Sequence, residues 1–164
     1  MSTTAITIEE YLKTAYRPDC DYVDGEVQER NLGEYDHARL QLAIAAYFFI
    51  RRKEWGISVV PEQRVQVSPT RFRIPDVCVV LGEPKEQIFR TPPFICVEIL
   101  SSEDRLSRVT ERLDDYVEFG VPYIFLLDPE SRKAWRYTKG TLAGVPQLRT
   151  ENPEMVVPLE ELFA

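Results

Sequence analysis

The chain has 164 residues, 44% of them hydrophobic and 29% charged, which suits one globular domain with a full core. Its formal charge of −7 argues against indiscriminate coating of nucleic acid, while leaving room for a local basic patch or a metal-bridged contact. No apolar run reaches the roughly 18 residues of a membrane span, and three scattered cysteines with one histidine argue against a disulfide framework or a zinc site.

The first stretch, "MSTTAITIEEYLKTAY", has neither a basic n-region nor an apolar h-region, so a reduced, cytoplasmic protein is expected. Thr7 followed three residues later by Glu10 is a capping signal for a short helix over residues 8–14. "CDYVDGEVQER" reads as a β-hairpin with "DG" as its turn. "GEYDHARLQLAIAAYFFIRRKEWG" is the strongest helix signal: Asp36 can cap it, Arg51, Arg52 and Lys53 suit its negative end, and Gly56 stops it. Its middle is apolar nearly all round, which predicts burial on several sides or packing on a partner subunit. Strands follow in "ISVVPEQRVQV", "PDVCVVL" and "FICVEIL". A second helix, "SEDRLSRVTERLDDYVEFG", carries Leu106, Val109, Leu113, Tyr116 and Val117 on one face, with Ser101 and Ser102 as its cap and Gly120 as its end. "PYIFLLDP" and "KAWRYT" read as strands, and "MVVPLEELFA" as a docked helical turn. No repeat, low-complexity tract or linker divides the chain, so residues 1–164 form a single α/β domain with a mixed sheet.

One carboxylate breaks this pattern. Alternation puts Phe94, Cys96, Glu98 and Leu100 on one side of "FICVEIL", and Asp76, Cys78 and Val80 on one side of "PDVCVVL". If these strands are antiparallel neighbours, Asp76 and Glu98 meet at one edge of the sheet, above the small Cys78 and Cys96. Two adjacent carboxylates repel, so one must protonate or a cation must lie between them. Mg²⁺ suits such a pair, since it takes one or two carboxylates, keeps several waters and bridges to phosphate. The simpler alternative is that Glu98 reaches solvent at a strand end, or pairs with an arginine.

On the helix that follows, Arg105, Arg108 and Arg112 form one stripe beside the apolar face. Glu103, Asp104, Glu111, Asp114, Asp115 and Glu118 take the far side. Arg112 can lean toward Glu98 or give a bidentate contact to phosphate. Ordinary pairs such as Arg108 with Glu111 or Arg112 with Asp115, worth about a few tenths of a kcal/mol each, would also explain the stripe. Asp128 before a proline reads as a turn residue, and Trp55 and Trp135 read as packing.

The ordered set "RIPDVCVV", "PPFICVEILSSEDR" and "ERLDDYVEFGVPYIFLLDPESRKAWRY", with the hairpin "DYVDGEV", a histidine opening the next helix and the ending "VVPLEELF", resembles the Uma-two family of restriction-endonuclease-like domains. That family lies in the PD-(D/E)XK nuclease superfamily, and the resemblance covers nearly the whole chain. It implies a restriction-endonuclease-like mixed β-sheet flanked by α-helices, with an N-terminal β-hairpin. It also implies a Mg²⁺-dependent (or Mn²⁺-dependent) endonuclease acting on nucleic acid, DNA foremost. The family's metal-binding aspartate falls on Asp76 and its glutamate on Glu98. The superfamily's lysine two residues after the glutamate is replaced by Leu100. The lysine this family carries on the next helix matches Arg112, which stays protonated and cannot serve as a base. His37 matches the family's histidine, where a helix dipole would favour the neutral form and a nearby anion. Glu26 and Asp24 are candidates for a third metal carboxylate. So is Asp21, where the family often has glutamate.

Three readings stand open at this point. The first is a metal-dependent nuclease using Asp76, Glu98, Arg112 and His37, with Arg105 and Arg108 on nucleic acid. The second is a non-cleaving module in which these arginines, with Arg71, Arg73 and Arg90, grip phosphates. The third is an interaction protein, a homodimer through the helix over residues 40–50, compatible with either of the others.

Overall fold

Our computed structural model describes residues 5–30 and 33–164; the first four residues, part of the segment read as lacking a leader, lie outside the described residues. Helix α1 (Ile8–Lys13) opens with the expected capping box: Glu10 N–H donates to the Thr7 hydroxyl, and Thr7 N–H donates to the Glu10 carboxylate. Strands β1 (Asp21–Val23) and β2 (Glu26–Gln28) form the expected hairpin. Asp24 and Gly25 both take positive φ, 49° and 96°, which a two-residue turn of this hand requires.

Helix α2 (Tyr35–Ile50) starts one residue before Asp36, so Asp36 does not cap it. It lies in the first turn instead, where its charge complements the positive end of the dipole. Leu40, Ile44 and Phe48 are buried, whereas Tyr35, Leu42, Phe49 and Ile50 are exposed. Among the described residues the helix is therefore covered on one side only. A short α3 (Arg52–Trp55) continues it and ends at Gly56 in the left-handed conformation.

"ISVVPEQRVQV" is two strands rather than one. Glu62 turns the chain with a φ of 50°, so β3 (Ile57–Pro61) and β4 (Val65–Ser68) enter different sheets. After them come β5 (Arg71–Arg73), β6 (Val77–Leu81), β7 (Ile95–Ile99) and helix α4 (Leu106–Phe119). Strands β8 (Tyr123–Asp128), β9 (Lys133–Thr138), β10 (Thr141–Val145), β11 (Gln147–Thr150) and β12 (Met155–Pro158) lead to α5 (Leu159–Leu162). The large sheet runs β10-β9-β8-β7-β6-β3, with β7 and β8 parallel and the other neighbours antiparallel. A smaller antiparallel sheet, β2-β1-β5-β4, carries the hairpin. Strands β11 and β12 pair separately.

Both faces of the large sheet are covered, which explains the nearly continuous apolar run of β7. Ile95, Val97 and Ile99 pack toward α2 with Ile44 and Phe48. Cys96 packs on the other side with Val109, Leu113 and Tyr116 of α4. Helix α4 begins four residues later than its sequence signal: Arg105 occupies the cap position without a side-chain hydrogen bond, so Ser101 and Ser102 are not caps. Ser102 Oγ donates instead to Glu34, at 2.6 Å. Leu106, 68% exposed, is off the apolar face. Asp128 makes the expected turn, accepting from Glu130 N–H and Ser131 Oγ. Trp55 and Trp135 pack against the two cores. Among the described residues no helix is long and apolar enough to cross a membrane.

Candidate active site

The antiparallel register of β6 and β7 pairs Val77 with Val97 and Cys78 with Cys96. Continued by one residue, it sets Asp76 opposite Glu98, and buried Cys78 and Cys96 lie beneath them. The two carboxylates are buried, at 2% and 3% exposure, and both line a cleft of about 370 Å³. His37, Gln41, Arg30, Glu62, Asp104, Arg105, Arg108 and Arg112 share that cleft. The arginine stripe of α4 and its preceding turn thus faces the carboxylates.

Asp76 is held from every side. Ile99 N–H donates to its Oδ2 at 2.7 Å, and Arg30 Nη2 donates to its Oδ1 at 2.9 Å. His37 Nε2 lies 3.4 Å from the same Oδ1, and Gln41 Nε2 donates to the Asp76 carbonyl at 2.9 Å. Burial disfavours the Asp76 charge, but the His37 hydrogen bond and the Arg30 guanidinium outweigh it and hold the carboxyl below its ordinary pKa. The same contact reverses the expectation for His37. Burial disfavours its charged form, yet the hydrogen bond and charge of Asp76 raise its pKa above the ordinary value, opposite to the shift the helix dipole would give.

Glu98 is held more weakly. The Tyr116 hydroxyl donates to Oε1 at 2.5 Å, while Arg112 Nε is 3.8 Å from Oε2, an ion pair without a hydrogen bond. Burial pushes Glu98 up to about 8, with the Asp76 charge adding to the shift and Arg112 offsetting it only in part. Arg112 also lies 3.7 Å from Asp104.

Not every sequence candidate joins this cluster. Glu26 lies in β2, exposed, and does not line the cleft. Asp21 of the same hairpin is buried beside Arg73, with the charges of Arg73, Arg30 and Arg112 acting on it; its Oδ1 lacks a hydrogen-bond partner among the described residues. Asp24 is taken by Arg71 and Thr70. The acid side of α4 is not uniformly solvated: Asp115 is buried and accepts from Arg71 at 2.9 Å and Arg73 at 2.7 Å. Arg71 and Arg73 are therefore occupied by carboxylates rather than free to grip phosphates. Arg90 is exposed and outside the cleft. The pair suggested for Arg112 with Asp115 gives way to Glu98 and Asp104.

Arg30, Gln41 and Tyr116 escaped the sequence reading of the site. Tyr116 had a usable signal, since it follows Arg112 by four residues and so shares its side of the helix. Arg30 is a lone arginine after a hairpin, and nothing local marks it.

Asp76 and Glu98 offer hard oxygens on rigid adjacent strands, and a cation between them would offset the burial of Glu98 and its repulsion from Asp76. These features fit Mg²⁺ or Mn²⁺, which needs no more than two carboxylates. Among the described residues no group of three histidine, cysteine, aspartate or glutamate side chains converges on one metal position.

A family model described as "Putative restriction endonuclease" matches residues 8–164. None of the curated proteins matches the chain. Among solved structures, a protein of Anabaena variabilis described as "a putative nuclease belonging to DUF820" shares the fold, with a TM-score of 0.79 at 20% identity, over 96% of this chain and 97% of that one.

Proposed function

Because the chain belongs to the Uma2 family of restriction-endonuclease-like proteins, we propose that it is a Mg²⁺- or Mn²⁺-dependent endonuclease that hydrolyses phosphodiester bonds in nucleic acid, with DNA as the substrate. One observation carries this reading: Asp76 and Glu98 oppose each other across β6 and β7 at the floor of an arginine-lined cleft. The two carboxylates would hold the ion. When bound, it lowers the pKa of a water and offsets charge on the phosphoryl oxygens.

The chain's own residues divide the remaining work. Arg105 and Arg108, exposed along the cleft, meet the phosphate backbone. Arg112, partly buried, holds positive charge beside Glu98 where negative charge develops in the transition state. It cannot take a proton from water, because a guanidinium stays protonated. Tyr116 fixes Glu98 through Oε1, and His37 keeps its Nε2 proton directed at Asp76 Oδ1. Three free, buried cysteines suit a reducing compartment, which supports a cytoplasmic setting.

The test is cleavage of a duplex DNA oligonucleotide with Mg²⁺ or Mn²⁺, by wild type and by Asp76→Asn. Cleavage that needs the metal and falls about a hundredfold or more in the variant is the expected result. Equal cleavage by both proteins, or cleavage in excess chelator, would sink the assignment. Arg30 and Arg112 beside the two carboxylates favour a second reading, a nuclease fold that binds nucleic acid without cutting. It predicts salt-sensitive binding with no turnover in the same assay.

Tyr35, Leu42, Phe49 and Ile50, exposed on α2 opposite Leu40, Ile44 and Phe48, support a homodimer through that helix. A monomeric mass in solution at micromolar concentration would exclude it.

A further inference from the structure

Asp76 has one oxygen turned to the sheet and one turned to the cleft. Oδ2 takes the Ile99 N–H, a backbone donor fixed in β7. Oδ1 takes Arg30 Nη2, with His37 close by. Any cation approaching Asp76 from the cleft therefore meets an oxygen already paired with a guanidinium. Both partners are shielded from water, with side chains 15% and 3% exposed, so the pair is little screened. A divalent ion and a guanidinium on one carboxylate oxygen would repel each other with twice the force of two unit charges.

Arg30 has a second place to rest. Its Nη1 reaches Glu62 Oε1 at 3.3 Å, and Glu62 is half exposed at the margin of the same cleft. Arg112 does not stand in the same relation to Glu98, since it lies 3.8 Å away without a hydrogen bond. Arg30, shorter in its contact with Oδ1 than His37 and charged at every working pH, is thus the group that most directly contests the carboxylate pair.

We propose that Arg30 is the exchangeable counter-ion of Asp76. It neutralises the buried carboxylate in the metal-free protein, yields Oδ1 to an incoming divalent cation, and stays on Glu62 through Nη1 while the released Nη2 holds a phosphate of the nucleic acid. This rests on the metal site proposed above. It makes Arg30 a positioning residue that sets how tightly the metal binds. A purely structural arginine would stabilise the fold and leave metal affinity alone.

Calorimetric titration of Mn²⁺ into wild type, Arg30→Gln and Glu98→Ala, without nucleic acid, tests it. Arg30→Gln is expected to bind Mn²⁺ about tenfold tighter than wild type, and Glu98→Ala to lose binding. Binding by Arg30→Gln alone, with none in wild type, also supports the exchange. Equal or weaker binding by Arg30→Gln, with clear binding in wild type, overturns the role of Arg30 and leaves the metal site standing. No binding by either protein removes the metal site and this inference together. Should Arg30→Gln fail to fold, the side-chain Nε–H resonance of Arg30 in wild type, assigned with Arg30→Lys, decides. It is expected to move on addition of Mg²⁺, and a resonance that stays in place overturns the exchange.

Discussion

Replacing Glu98 with glutamine is expected to lower metal-dependent cleavage by about a hundredfold or more and, at the same time, to make the metal-free protein more stable near pH 8. The two effects share one cause. Glu98 sits in an apolar strand, and burial pushes its pKa from 4.5 up to about 8. Between those values the unfolded chain has released a proton that the folded chain still holds, so folding grows less favourable as pH rises. The contribution levels off above about 8, where both states are ionised. Glutamine carries no charge at any pH, can still accept the Tyr116 hydroxyl at Oε1, and removes the penalty. A tenfold change in proton affinity between the folded and unfolded chain is worth about 1.4 kcal/mol, so the gain near pH 8 is on the order of a few kcal/mol. Thermal melts of both proteins in chelator across that range measure it. Parallel pH profiles would show that Glu98 ionises in the fold as it does in the open chain.

Arg73→Met is expected to cost about 3–5 kcal/mol of stability, a large loss for a single change away from the cleft. Arg73 is 1% exposed. It donates from Nε to Asp115 of α4 and from Nη1 to Asp21 of β1, so it joins the small sheet to the helix that bears Arg112 and Tyr116. Methionine fills much of the volume but leaves Asp21 as a buried carboxylate without its main counter-ion. Asp115 keeps Arg71. Urea unfolding of Arg73→Met and of Arg73→Met/Asp21→Asn measures the effect, and the second variant should recover part of the loss. A loss below about 1 kcal/mol in Arg73→Met would mean that the buried network does not hold the helix to the sheet.

These two residues differ in how far the sequence announces them. A carboxylate inside "FICVEIL" stands out because alternation assigns each side chain a face, and a charge on a buried face demands an explanation. Asp76 stands out by the same logic, once its strand is taken as the antiparallel neighbour of the first. Arg73 does not stand out. A strand of three residues carries too little pattern to show which of its arginines is buried, and its partners lie 42 and 52 positions away. Arg30 is hidden for the same reason, 46 positions from Asp76.

Local chemistry set the caps and turns with mixed success. The Thr7 box and the "DG" turn form as expected, because each needs only neighbours in sequence. Asp36, Ser101 and Ser102 do not act as caps. Each can satisfy a helix end, but the helix starts where packing and longer-range partners place it. The histidine shows the same divide: the helix dipole favoured neutrality, and a carboxylate reached through the fold outweighed it.

The sequence by itself determined the α/β class, the strand faces on which Asp76 and Glu98 lie, and the arginine stripe of the following helix, because periods of two and 3.6 residues are properties of adjacent positions. Only the tertiary structure decided which cations answer those carboxylates, which oxygen each one takes, and which acids of α4 are buried. Those choices depend on desolvation and on charges brought within a few ångströms by chain crossings, and no local pattern encodes them.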